Sequence, residues 1–137
     1  MRALAERINA RFGAPGYQPI VLRIEHHDAA RVYEMYRAAD FCCVSSLHDG
    51  MNLVAKEFVA ARDDQQGVLI LSQFTGAARE LVDALVVNPY DIEQSAAAMQ
   101  VALTMPLAEQ RARMRSMRTL VQDFNVYRWA GRMLLDA

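Results

Sequence analysis

Short apolar runs alternate with longer amphipathic ones along this chain. Four runs suit buried strands: Pro19 to Ile24, Phe41 to Val44, Val68 to Leu71 and Leu85 to Val87. Apolar residues dominate them, which fits a pleated, buried surface. Helical patterns lie between. Leu4, Ile8 and Phe12 recur at helical spacing, and Gly13 is placed to stop that helix. Asp28 is placed to cap a second helix, with Val32, Tyr33 and Tyr36 on its buried face. A third helix runs from Asn52 to about Arg62, and a short one from Ala77 to Val82. Asp91 and Gln94 have the spacing of a capping box, before a helix that reaches Thr104. Pro106 suits the first position of the next helix, which carries Leu107, Met114, Met117, Leu120 and Val121. Asn125 is placed to cap a last helix holding Tyr127, Trp129, Met133 and Leu134. This alternation predicts one α/β domain over residues 1–137. Its core is a partial Rossmann-like parallel sheet of about four strands, with helices on both faces and a helical C-terminal tail.

Composition narrows the class. Apolar residues make up 53% of 137, so the chain can bury a core. Its net charge is −1 with the signs interspersed, which offers no basic stripe to nucleic acid or a membrane surface; only Arg111 to Arg118 is locally basic. No apolar run is long enough to cross a bilayer and no signal peptide is visible, so a cytoplasmic location is expected. Cys42 and Cys43 are adjacent in a strand pattern, so they should face opposite sides and stay reduced. His26 and His27 stand between Glu25 and Asp28, but neighbours in an extended segment diverge, so no metal or other cofactor is expected.

The stretch from Asp40 to Glu57 carries the chemistry. A strand pattern leads through a polar turn, Ser45 to Gly50, into a helix. Open α/β sheets build ligand sites at this place, the carboxyl end of a strand. With a helix start at Met51 or Asn52, the free backbone N–H groups belong to Asn52, Leu53 and Val54. They and the helix dipole favour a phosphate. Gly50 lacks the Cβ that would hold a ligand off the backbone. Asp49 offers two acceptors to sugar hydroxyls. Glu57, one turn into the helix, tilts toward the helix start and within reach of a vicinal diol such as a ribose. The series suggests a nucleotide sugar. The same residues also fit plain strand-to-helix packing, since Asp before a helix often caps it and Gly often only turns the chain.

The run Leu47-His-Asp-Gly-Met-Asn-Leu-Val-Ala-Lys-Glu-Phe-Val-Ala-Ala61 closely resembles the trehalose-6-phosphate synthase family of retaining glycosyltransferases, family 20. Tyr36-Arg-Ala-Ala-Asp40, Leu71-Ser-Gln-Phe-Thr-Gly-Ala-Ala78 and Val87-Asn-Pro-Tyr-Asp91 match it in the same order. The likeness runs from about Ile8 to the C-terminus. The family member usually described has Arg where this chain has His48.

The resemblance implies a GT-B fold of two Rossmann-like domains, with this chain corresponding to the later part of the donor-binding C-terminal domain. It implies transfer of glucose from UDP-glucose to glucose 6-phosphate. Asp49 would bind sugar hydroxyls, the amides of Gly50, Met51, Asn52, Leu53 and Val54 the sugar and diphosphate, and Glu57 the ribose. The backbone near His27 would meet the base. The upstream Arg and Lys that grip the diphosphate in the family have no counterpart here, so the chain alone is expected to be inactive or nearly so. A shortened sheet also exposes an edge, which predicts a homo-oligomer or a domain swap. Two alternatives stand: a glucosylglycerol-phosphate synthase-like transferase using ADP-glucose, and a non-catalytic interaction module on the same fold.

Overall fold

The computed structural model of the chain describes residues 1–124 and 126–135. Its elements run α1 (Arg2–Phe12), α2 (Ala29–Ala38), β1 (Phe41–Val44), α3 (Leu53–Ala61), β2 (Val68–Ser72), a 3₁₀ turn (Gly76–Arg79), β3 (Leu85–Val87), α4 (Ile92–Thr104), α5 (Leu107–Asp123) and α6 (Val126–Leu135). The fold is α/β with a parallel sheet, as the alternation predicts. The sheet has three strands in the order β1-β2-β3. Phe41 stands opposite Val68 and Val44 opposite Leu71; Ile70 stands opposite Leu85 and Ser72 opposite Val87.

β2 is the centre. All five of its residues are buried, and its side chains divide between two cores. Leu69 and Leu71 join Val44, Ala55, Phe58, Val59, Ala77, Leu81, Met114 and Met117 on the face covered by α3 and α5. Val68 and Ile70 join Val87, Ala102 and Met105 on the face covered by α4. The period of two along a strand produces this split. At about 1.5–3 kcal/mol for each large aliphatic side chain buried, β2 anchors the domain. Cys42 packs into the first core and Cys43 into the second, so the two adjacent thiols do face opposite sides, and both are free.

Arginines tie the helix ends together. The Arg62 guanidinium, buried at the end of α3, donates to the carbonyls of Tyr36, Arg37 and Ala39 and pairs with Asp64. Arg118 of α5 donates to the carbonyls of Val59 and Ala60 at 2.9 and 2.7 Å. Each cation fills carbonyls that a helix end leaves open, where the dipole favours positive charge.

Several details differ from the sequence pattern. Pro19 to Ile24 is no strand: it is irregular, with Val21, Leu22 and Ile24 exposed. A strand needs a neighbour to accept its backbone bonds. Here, among the described residues, the Asn9 side chain plays that part, accepting from the Ile20 N–H and donating to the Ile20 carbonyl, both at 2.8 Å. The helix read at Ala77 to Val82 is only the 3₁₀ turn. Val32 and Tyr36 are half-buried and Tyr33 is exposed, because α2 packs along α3 and not over the sheet. Leu4 and Phe12 are also exposed, leaving Ala5 the buried residue of α1. The capping box is half made. Asp91 accepts from the Gln94 N–H at 2.9 Å, but Gln94 Oε1 accepts from the Asn88 N–H at 2.6 Å. Pro106 caps α5 from just outside it. Asp28 caps α2 as expected, accepting from the Arg31 N–H at 2.8 Å. The cap read at Asn125 and the side chains of Tyr127 and Trp129 lie outside the described residues.

Candidate nucleotide-sugar site

The loops after β1 and β2 meet at the carboxyl end of the sheet. Asp49 N–H donates to the Phe74 carbonyl at 3.2 Å, Gly76 N–H to the Asp49 carbonyl at 3.0 Å, and Ala77 N–H to the Met51 carbonyl at 2.8 Å. The sheet register thus continues past the strands, pairing Asp49 with Thr75. Gly76 makes the approach possible: a Cβ there would lie 2.1 Å from the Gly50 carbonyl oxygen. Gly50 faces open space instead.

Inside the loop, the Asp49 carboxylate is an organiser. One oxygen accepts from the N–H groups of Met51 and Asn52 at 3.1 and 3.0 Å; the other accepts from the Asn52 side-chain amide at 2.9 Å. The Asn52 amide first, and then the Met51 N–H, hold this carboxyl below its ordinary range, so it is charged at neutral pH. Oδ1 is filled by its two N–H donors, and Oδ2 keeps a lone pair for a ligand hydroxyl.

Asn52 is the N-cap of α3. Its backbone is left-handed, with φ of 72°, and its side chain accepts from the Ala55 N–H at 2.9 Å. Asn tolerates that conformation better than most residues and ranks among the best caps. α3 therefore starts at Leu53, and of the three amides expected to be free, Asn52's is taken. Among the described residues, the N–H groups of Gly50, Leu53 and Val54 are left without a partner. Two of these are the first amides of a helix, the arrangement that suits an anion. Exposed Leu47, Met51, Leu53 and Val54 give the site an apolar rim.

Glu57 lies one turn further into α3. Its Oε2 accepts from the Tyr36 hydroxyl at 3.3 Å. Desolvation, and then the Glu57 charge, push the Tyr36 phenol up to about 12, so it remains a donor. Lys56, its neighbour, pairs with Glu80 at 2.7 Å and joins α3 to the 3₁₀ turn. Sequence alone does not mark Lys56, because its partner is remote in the chain. His27 is half-buried before α2, 3.9 Å from the Glu25 carboxylate, and no hydrogen bond joins it to Asp49 or Glu57. A recess of about 330 Å³ lies at the opposite end of the sheet, against Asp40, Gly67 and Gln110. Gln110 fills its polar needs there, bonding Gly67 N–H and the Met105 carbonyl.

The family model of glycosyltransferase family 20 matches residues 1–137. The chain belongs to glycosyltransferase family 20. It is similar to the trehalose-6-phosphate synthase of Klebsiella pneumoniae subsp. pneumoniae, 46% identical over 137 residues, covering 99% of this chain and 29% of that protein. The trehalose-6-phosphate synthase of Salmonella arizonae is 48% identical over 133 residues, covering 96% of this chain and 28% of its own. Among solved structures, the E. coli trehalose-6-phosphate structure bound with UDP-2-fluoro glucose superposes with a TM-score of 0.95 at 43% identity, covering 98% of this chain and 30% of the other. An α,α-trehalose-phosphate synthase (UDP-forming) from Burkholderia xenovorans, in complex with glucose-6-phosphate, gives 0.94 at 43%, with the same coverage. The chain therefore spans less than a third of the length of the family relatives it matches.

Proposed function

We propose that this chain is the donor-binding portion of a retaining glycosyltransferase that moves glucose from UDP-glucose to glucose 6-phosphate, giving trehalose 6-phosphate. The observation that carries it is the start of α3, where the free amides of Leu53 and Val54 stand beside Asp49 with Glu57 one turn behind. In this proposal the amides of Gly50, Leu53 and Val54 take the diphosphate and sugar, Asp49 the glucose hydroxyls and Glu57 the ribose diol. Met51 and Asn52 act through the loop that Asp49 closes. As the sugar leaves, the diphosphate gains charge, and fixed donors aimed at it lower the barrier. The related structures bound with UDP-2-fluoro glucose and in complex with glucose-6-phosphate support this choice of donor and acceptor.

No metal or cofactor has a part in the proposal. Two unpaired cysteines support a reducing, cytoplasmic setting. Among the described residues, no helix is long and apolar enough to cross a membrane. The 137 residues alone are proposed to be catalytically inert, since transfer also needs a positioned acceptor. The free edge of β1 supports self-association, which light scattering reads as mass; a monomer would remove that part of the proposal.

The test of the site is calorimetric titration of the folded chain with UDP-glucose, ADP-glucose and UDP. Binding of the uridine ligands, lost in Glu57→Ala, is expected. Preference for ADP-glucose would move the donor assignment, and absence of binding would sink the site.

A further inference from the structure

α2 contributes to this site through one side chain. The Tyr36 hydroxyl reaches Glu57 Oε2 at 3.3 Å, long for an O–H···O bond but directed at one oxygen of the pair. The rest of Tyr36 is fixed. Its ring meets Phe58 edge-on, with centroids 6.1 Å apart and planes at 81°, and Tyr33 likewise at 6.1 Å and 82°. Phe58 is fully buried. The Tyr36 carbonyl accepts from the buried Arg62 guanidinium at 3.1 Å. A phenol held at ring and backbone has one direction in which to donate.

We propose that Tyr36 is a positioning residue for Glu57: it holds Oε2 and leaves Oε1 presented to the 2′,3′-diol of a bound nucleoside diphosphate. The inference rests on the assignment of Glu57 to the ribose. A glutamate otherwise samples several rotamers, and a ligand must order it at an entropic cost. Tyr36 orders it beforehand, so less affinity is spent on binding. A carboxylate accepts at both oxygens, so the phenol and the diol do not compete. The phenol keeps its proton at neutral pH and remains the donor of the pair.

The experiment titrates the chain, and its Tyr36→Phe, Glu57→Ala and doubly substituted forms, with UDP and with 2′,3′-dideoxyuridine diphosphate. Phe keeps both ring contacts and removes only the hydroxyl. Tyr36→Phe should weaken UDP about three- to tenfold, the size of one ordinary net hydrogen bond, since the 3.3 Å contact is long for a bond to a carboxylate. It should leave the dideoxy ligand unchanged and add nothing once Glu57 is Ala. Equal weakening of both ligands would mean a structural role and overturn the inference. Unchanged UDP affinity in Tyr36→Phe, beside a clear loss in Glu57→Ala, would overturn it and leave the donor site standing. No UDP binding by the folded parent chain, or none lost in Glu57→Ala, would remove the site assignment and this inference together.

Discussion

The loop from β1 to α3 and the segment from α1 to α2 both end at a capped helix, and both hold residues read as ligand-binding. They are built on different terms. The first is closed inside by the Asp49 carboxylate and tied outside to the loop after β2 by three backbone bonds. The second is held by the Asn9 side chain of α1 at Ile20, and leaves Val21, Leu22 and Ile24 exposed. Both contain strong local signals, an Asp-Gly turn in one and an apolar run in the other. Local signal becomes fixed structure where backbone groups find partners, and the apolar run found almost none. A preorganised site is accordingly expected at Asp49 to Glu57 and not at His27.

Gly76→Ala should break the first region most severely. The new Cβ would sit 2.1 Å from the Gly50 carbonyl oxygen and 2.9 Å from its carbon, both backbone atoms. The two loops must part, stretching the Gly76-to-Asp49 and Ala77-to-Met51 bonds. Overpacking of this kind costs about 3 kcal/mol. Urea unfolding should record that loss, and UDP titration a weaker site. Parental stability in the variant would mean that the loops are slack, and the contrast between the two regions would fail.

Asn52 gives a smaller, two-part effect. Asn52→Ala removes the cap and forces a residue with a Cβ into a left-handed backbone, costing about 2 kcal/mol. Asn52→Gly removes the same cap but accepts that backbone freely, so thermal melting should place it between the parent and Ala. Equal losses in the two variants would show that the backbone angle contributes nothing and the cap everything.

These residues also show what was legible in the sequence. The strands β1, β2 and β3, the caps Asp28 and Asp91, and the opposite facing of Cys42 and Cys43 follow from period and local chemistry. The Gly-containing turn between strand and helix, where the site is proposed, is likewise a local pattern. The role of Asp49 as loop organiser was hidden because it depends on how the turn folds back, bringing two backbone N–H groups and the Asn52 amide onto one carboxylate. Gly76 reads as an ordinary turn until the facing loop is seen. Tyr36 and Glu57 are 21 residues apart, and Lys56 and Glu80 are 24 apart; no helical or strand spacing links either pair. The strand read at Pro19 to Ile24 failed for the converse reason: the pattern is local, but its pairing is not.

Alkaline pH should loosen the elements around the first region, β1, α2 and α3, in two steps. Burial raises the Cys42 thiol from 9.0 to about 11, and burial with Glu57 raises Tyr36 from 10.0 to about 12. Both groups bind their protons more tightly folded than unfolded. Their contribution is full below about pH 9 and falls as pH rises through about 11 and then about 12. Amide exchange should therefore rise first in β1, α2 and α3. Cys42→Ala should flatten the earlier part of the loss, and Tyr36→Phe the later part. A fall in stability confined to lower pH would contradict the assignment.

Asn9→Ala should have the smallest effect and the most local. Its amide donates to and accepts from Ile20 in the manner of a strand neighbour, at a half-exposed position. Losing both bonds should cost about 1 kcal/mol or less, since water replaces them. The informative readout is amide exchange: Ile20 should lose protection while Val68 to Ser72 keep theirs. Asn9→Asp keeps the acceptor and removes the donor, so the Ile20 N–H should stay protected. If exchange rises equally across β2 in Asn9→Ala, the segment before α2 is coupled to the sheet after all, and the two regions do not differ in the way their hydrogen bonds indicate.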